Sequence, residues 1–258
     1  MFDITSRAKN KTPYVVVCLQ ECERMNVLLS EIRTSLNDLD AGLRGALNIT
    51  DAMELLSLML NRNQVPGSWE KYAYFSKKTL LDWFADMKER VAQLVIWAEA
   101  LDTPPVVWIS GLFNPMSYLT AIMQVTARAA LLPLDDMCLI TEVLNTKEKS
   151  EFPNFAEKGA YVNGFFLEGA GWELGRGGEQ GYLTEMQLKD LHPIVPIIHV
   201  TAIQRKEKRT KGVYNCPVYT TSMRGPTFVF TAGLKMESEE TDPNKWILAG
   251  VALLMSPE

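Results

Sequence analysis

The chain has 258 residues, a formal net charge of −5, and hydrophobic and charged fractions of 47% and 22% that are ordinary for a globular protein. A chain of this length buries roughly 70–75% of its unfolded surface, so its core requires neither disulfides nor a structural metal. The acidic balance argues against a nucleic-acid-binding domain, and neither a transmembrane run nor a signal peptide is expected. Four cysteines without a regular spacing indicate a reducing, cytoplasmic compartment.

The first half of the chain is predicted to be helical. Apolar side chains recur every three or four positions between residues 18 and 43, which predicts one long amphipathic helix with this stripe in the core. The stripe consists of Cys18, Cys22, Met25, Leu29, Ile32, Leu36, Leu39 and Leu43. Further helices are predicted from the Thr50-Asp51 cap, along a stripe from Leu80 to Ala98, and from Asn114-Pro115.

The second half changes to short β-rich runs separated by turns or charged loops. Six strands are predicted at residues 137–143, 161–167, 195–203, 214–220, 227–234 and 246–255. Their hairpin-like spacing favours a small, incomplete six-stranded antiparallel β-barrel. We therefore expect an α+β fold with an α-helical subdomain at residues 1–135 and a β-barrel subdomain at residues 136–258.

Four aromatic residues lie just after a turn and outside the helical stripes: Trp69, Tyr72, Tyr74 and Phe75. Aromatic side chains that stay in water usually mark an interface, which makes this cluster a candidate docking surface. The alternative is that the cluster caps the core of the helical subdomain, and the sequence favours neither over the other.

No catalytic or metal-binding pattern is complete. Cys18 and Cys22 are one helical turn apart, but no second ligand pair accompanies them, so core packing is favoured. A hydrolase would pair Ser110 with His192 or His199, yet Ser110 lacks the Gly-x-Ser-x-Gly context. We predict no catalytic residues and no metal, with a small hydrolase as the weakest alternative.

Two further segments have the composition of binding sites. Residues 175–181 are glycine-rich but match neither a dinucleotide fingerprint nor a phosphate-binding loop, so a hairpin tip and no nucleotide cofactor are expected. A basic run follows at Arg205, Lys206, Lys208, Arg209 and Lys211. It contains no aromatic residue, which disfavours nucleic acid and leaves a solvated loop or the acidic-partner site of a free-standing adaptor.

Several longer phrases carry a resemblance when they are taken in order. They are PYVVV (13–17), QECERMN (20–26), QVPGSW (64–69), WISGLFNP (108–115), GFFLEGA (164–170), CPVY (216–219), RGPT (224–227) and KWILAGVALL (245–254). Together they resemble the C-terminal domain of dynein heavy chains over nearly the whole sequence. The phrases CPVY, RGP and LKDL (188–191) are most similar to the axonemal outer-arm branch.

The resemblance implies a helical subdomain followed by an incomplete six-stranded barrel, without an ATP site of its own. It implies docking on the AAA+ ring of the same heavy chain, within the dynein complex of a ciliary or flagellar axoneme. There the domain would influence force, processivity and coupling between ring modules. The sequence departs from the family at Gly171 and Glu173, where Arg and Asp are usual, and in the longer turn at residues 175–181, so a contact of the missing arginine is in doubt.

Overall fold

Six α-helices and ten β-strands form the described part of the chain, in a computed structural model that describes residues 11–152, 154–175, 177, 179–186, 194–208 and 211–257. The helices are α1 (Pro13–Leu43), α2 (Asp51–Asn61), α3 (Gly67–Glu70), α4 (Leu80–Ala100), α5 (Pro115–Ala130) and α6 (Asn244–Leu248). The strands are β1 (Val106–Trp108), β2 (Met137–Val143), β3 (Ala160–Asn163), β4 (Phe166–Glu168), β5 (Gly171–Glu173), β6 (Tyr182–Thr184), β7 (Ile198–Gln204), β8 (Val213–Tyr219), β9 (Phe228–Lys235) and β10 (Ala252–Leu254). None of the described helices is both long enough and apolar enough to cross a bilayer.

The predicted helices are confirmed, and their starts follow from local side-chain caps. The Thr12 hydroxyl accepts a hydrogen bond from the Val15 amide at 3.3 Å, which starts α1 ahead of the predicted stripe. The predicted caps at Thr50 and Asn114 accept from amides three residues later and begin α2 and α5. Each side chain satisfies one of the backbone donors that a helix start leaves free.

The long helix does not bury its whole predicted stripe. Cys18, Met25, Ile32 and Leu39 are in the core, but Leu36 is on the boundary of exposure and Leu43 is 69% exposed. The partner elements α2 to α5 cover only part of the 31-residue helix, so its last turns keep an apolar side in solvent.

The strands form two four-stranded sheets and a hairpin. Their orders are β1-β3-β7-β2, β4-β10-β8-β9 and β5-β6. The pairs β1/β3 and β8/β10 are parallel, so the prediction of a purely antiparallel sheet was wrong. Both exceptions come from long connections: β1 reaches β3 through α5 and β2, and β8 reaches β10 through β9 and α6.

The described strands do not close a barrel. The edge strands β2 and β9 lie side by side, joined by a hydrogen bond from the Thr141 hydroxyl to the Gly233 carbonyl at 2.8 Å rather than by a backbone ladder. On the other side, β1 and β4 are the remaining edges, and they are not paired with each other. The expected barrel is therefore corrected to two mixed sheets that meet along one edge.

Two predicted strand boundaries change because glycines interrupt the strands. Residues 246–255 form α6 and β10, with Gly250 at φ +68° between them; Trp246 is buried while Leu248 is 88% exposed. Residues 161–167 divide into β3 and β4 at Gly164, where φ is +101° and a Cβ atom would clash with Trp108. A side chain is strained at such φ values, so glycine permits both breaks.

One hydrophobic cluster runs through both halves of the sequence. It joins Trp97 of α4 and Tyr118 of α5 with Val162 of β3 and Leu253 of β10. In addition, β1 belongs to the helical half by sequence but hydrogen-bonds to β3. The boundary at residues 135 and 136 stays a prediction about how the fold divides.

Candidate docking site

Two of the four candidate docking aromatics lie in the core. Trp69 is fully buried and stacks on Trp83 with 6.2 Å between ring centroids. Tyr74 is also buried and stacks on Trp83 at 5.7 Å. The prediction that Trp69 and Tyr74 present docking surface is corrected, because α4 supplies the indole that covers them.

Polar anchors hold these rings in place. The Trp69 indole N–H donates to the Ser35 hydroxyl at 2.9 Å, and the Tyr74 hydroxyl donates to the Trp83 carbonyl at 2.9 Å. The Arg90 guanidinium lies 3.6 Å from the Tyr74 ring centroid. Buried Tyr and Trp side chains need such partners for their polar atoms, so the cluster is a rigid platform. Burial also raises the pKa of Tyr74.

The guanidinium itself is held by a buried acid. Asp86 accepts from Arg90 Nε at 2.8 Å and from Lys78 Nζ at 3.3 Å. Arg90 and Asp86 are one helical turn apart on α4, and both side chains are less than a tenth exposed. Sequence periodicity could have suggested the pair by its spacing, but not its burial under an aromatic ring.

Tyr72 and Phe75 remain at the surface. Tyr72 is 37% exposed and Phe75 is 53% exposed, on the segment that continues from the buried Trp69. The Lys71 ammonium lies 5.3 Å from the Tyr72 ring centroid. Because the neighbouring rings are locked, these two side chains project from a fixed backbone and are suited to contact another surface.

A cleft of about 910 Å³ opens beside Phe75. One wall is α4 with Gln93, a second is Trp108 of β1, and a third combines Phe166 of β4 with Met255 after β10. The cleft therefore lies where the edges of the two sheets remain unpaired. It extends the candidate docking surface from Phe75 towards both sheets.

The residues of a possible hydrolase are not brought together. Ser110 lines the cleft beside Phe75, and its hydroxyl donates to the Gly164 carbonyl. His199 lines a different cleft, and its Nε2 is 2.8 Å from the Lys158 carbonyl oxygen. His192 lies outside the described residues. Ser110 and His199 thus have separate backbone partners, and the arrangement gives no nucleophile–base pair.

The cysteines have the surroundings of core residues. Cys18 and Cys216 are buried, and Cys22 and Cys138 are half-buried. A hydrogen bond with Cys22 and burial together raise the pKa of Cys18, which disfavours the thiolate that a metal would need. Across the part of the chain that the structure describes, no three His, Cys, Asp or Glu side chains are grouped to hold a metal ion.

The glycine-rich and basic segments make contacts within the domain. Residues 175–181 connect β5 to β6, and Asn145 bonds to Gly175 and Glu179 across this turn; residues 176 and 178 lie outside the described part. In the basic run, Arg205 donates to the Asp135 and Met137 carbonyls, so it is not free for a partner. Arg209 lies outside the described residues.

Sequence reasoning missed a second apolar surface at the end of α1 and along α2. Six aliphatic side chains are exposed there: Leu36, Leu43, Leu47, Ile49, Leu55 and Leu58. Only Leu56 of α2 is buried. The signal was present in the sequence of α2, which has more apolar residues than one buried face requires.

Comparison with known proteins gives one family over the whole length. The family model described as the C-terminal domain of the dynein heavy chain matches residues 1–255. Over 255 residues, 99% of the chain, the identity is 46% to the ciliary dynein beta chain of Tripneustes gratilla and 46% to dynein axonemal heavy chain 17 of Mus musculus. The flagellar outer arm dynein beta chain of Chlamydomonas reinhardtii is 44% identical over 243 residues, 94% of the chain. The chain spans only 5–6% of the length of these relatives.

Proposed function

Because this chain belongs to the family of dynein heavy-chain domains found at the C-terminus, we propose that it is a non-catalytic domain that docks on the AAA+ ring of its own heavy chain. From there it modulates microtubule-based motility in cilia and flagella, through force, processivity and coupling between ring modules. ATP hydrolysis takes place in the ring and not in these 258 residues. The relatives that support the setting are ciliary and flagellar dynein chains.

The observation that carries the docking proposal is the contrast within the aromatic cluster. Trp69 and Tyr74 are locked under α4, while Tyr72 and Phe75 stay in solvent on the same segment. A rigid platform lowers the ordering cost of binding, and exposed aromatics are the side chains that dominate interfaces. The cleft beside Phe75 adds a concave surface to the same region.

The non-catalytic part of the proposal rests on the sequence and on the described site. The sequence has no Gly-x-x-x-x-Gly-Lys-Ser/Thr loop. Ser110 and His199 have different partners and line different clefts. Titration of the protein with Mg-ATP in a calorimeter should give no binding heat, and a micromolar affinity would contradict this part.

The test of the regulatory role is single-molecule motility of the intact heavy chain against the same heavy chain lacking these residues. We expect ATP turnover to remain measurable, because the phosphate-binding loops lie elsewhere in the heavy chain. Run length, velocity or stall force should change. If all three stay the same, the domain is a passive appendage and the regulatory role is refuted.

A further inference from the structure

The exposed aliphatic residues at the end of α1 and on α2 form a surface that no described residue covers. We call it the hairpin face, and it consists of Leu36, Leu43, Leu47, Ile49, Leu55 and Leu58. Leu43 is 69% exposed and Leu55 is 59% exposed, and the last two members are three residues apart on α2. Single exposed leucines are normal, but six within 23 residues are more than a solvent-facing helix hairpin needs.

The backbone beneath the hairpin face is fixed. The amides of Ala46 and Leu47 both donate to the Ala41 carbonyl, which closes the end of α1. A Cβ atom on Gly42 would lie 3.2 Å from Met53 Sδ and 3.5 Å from Ile49 Cγ1, so the end of α1 packs directly against the start of α2. The exposed side chains are therefore presented by a rigid scaffold.

The charges around the hairpin face are mostly acidic. Between residues 36 and 58 there are four acidic residues and one basic residue, a formal charge of −3. The one basic residue, Arg44, is paired with Asp40 at 3.0 Å. Asp38, Asp51 and Glu54 are exposed around the apolar residues. An apolar patch with an acidic rim is complementary to an apolar patch with a basic rim.

We propose that the hairpin face is covered, in the intact heavy chain, by an apolar surface with a basic rim that belongs to the same polypeptide outside these 258 residues. This inference rests on the proposed docking function and names a second contact surface, separate from Tyr72 and Phe75, together with the chemistry of what binds it.

The occupant is assigned to the same polypeptide because of the length of the heavy chains. The related heavy chains are so long that a domain of this size spans about 6% of them. A surface on a covalently attached segment is present at an effective concentration of roughly millimolar, so six aliphatic contacts suffice where a bimolecular dimer would need a larger interface. A second copy of the domain has no such advantage.

The experiment measures how fast a maleimide reacts with a cysteine placed on the face in the intact heavy chain. The variant Leu58→Cys is compared with Leu131→Cys, a leucine that is 92% exposed at the end of α5. Each native labelling rate is divided by the rate of the same variant in denaturant, and peptide mass spectrometry separates the site from native cysteines. We expect protection at position 58 to exceed protection at position 131 by at least ~tenfold. Equal protection would overturn the proposal, and Leu55→Cys provides a second reporter if Leu58→Cys misfolds.

Two further arms identify the occupant. Reversing the rim with Asp51→Lys and Glu54→Lys in the Leu58→Cys background should raise labelling several-fold if the covering surface is basic. Labelling that speeds up on dilution would show that a second copy covers the face, which also overturns the proposal. The proposed function fails by a different result, namely unchanged motility after the domain is removed.

Discussion

Gln93 and Trp108 exchange two hydrogen bonds that join α4 to the edge of the first sheet. The Gln93 side-chain amide donates to the Trp108 carbonyl at 3.1 Å, and the Trp108 amide donates to Gln93 Oε1 at 2.7 Å. The glutamine thus takes the place of a neighbouring strand at an otherwise unpaired edge of β1. It also fixes one wall of the cleft beside Phe75.

The substitution Gln93→Leu should therefore destabilise the domain. It leaves the Trp108 N–H and C=O groups without their partners, and an unpaired buried polar group costs about 1–3 kcal/mol. Urea unfolding followed by tryptophan fluorescence measures the change. The matched control is Gln20→Leu, an exposed glutamine of α1, which should alter stability by less than about 0.5 kcal/mol. Equal effects of the two substitutions would show that the double hydrogen bond does not stabilise the fold.

A second prediction concerns Glu21, a buried carboxyl of α1 at the start of α5. Its oxygens accept from the Phe113 amide at 2.5 Å and the Asn114 amide at 2.9 Å. Burial raises the pKa of Glu21 above its ordinary value of 4.5, although the two amide hydrogen bonds oppose the shift. Between the unfolded and folded pKa values the native state binds more protons, so the contribution of Glu21 to stability is fully present below pH 4.5 and is lost as the pH rises.

The substitution Glu21→Gln isolates this effect. The glutamine cannot ionise, and its single oxygen replaces only part of the acceptor pair, so the variant should be less stable by about 1–2 kcal/mol at low pH. The difference from the parent protein should shrink as the pH rises above 4.5, because only the parent protein loses stability there through this group. Denaturation midpoints from about pH 4 to about pH 8 provide the measurement. A difference that grows with pH would mean that the folded carboxyl has a lowered pKa.

A third prediction concerns the last strand, β10. It is fully buried and lies between β4 and β8, and the Val251 carbonyl before it accepts from Tyr214 at 2.9 Å. Removing residues 246–258 should prevent cooperative folding, because it takes the inner strand out of the second sheet and exposes two edges. Removing only residues 257 and 258 is the control and should leave a folded protein. Soluble, cooperatively unfolding protein from the longer deletion would refute the placement.

The features that were predictable from sequence are those decided by near neighbours along it. Thr50 and Asn114 begin helices because each caps an amide three residues away. The burial of Trp69 was not predictable, because it depends on Ser35, 34 residues distant, and on Trp83. The parallel pairing of β1 with β3 likewise follows from which elements meet in three dimensions, not from the periodicity of either strand.

The same limit applies to the candidate site. Four neighbouring aromatics had the same local signal, yet the structure divides them into Trp69 and Tyr74, which stabilise the core, and Tyr72 and Phe75, which face solvent. Sequence could place the cluster beside a turn but could not assign its members. Replacing the buried members should cost stability; Trp69→Ala should destabilise by roughly 3–5 kcal/mol in urea unfolding.

The last prediction separates docking from stability at the exposed pair. The substitutions Tyr72→Ser and Phe75→Ser should change the free energy of unfolding by no more than about 0.5 kcal/mol each, because both side chains are exposed. In the intact heavy chain the double variant should nevertheless alter run length, velocity or stall force, because it removes the aromatic contacts with the ring. The control is Phe228→Ser, an aromatic of β9 that is 51% exposed. If the Phe75 and Phe228 variants change motility equally, a general loss of surface aromatics explains the effect; if motility is unchanged, Tyr72 and Phe75 are not part of the docking surface.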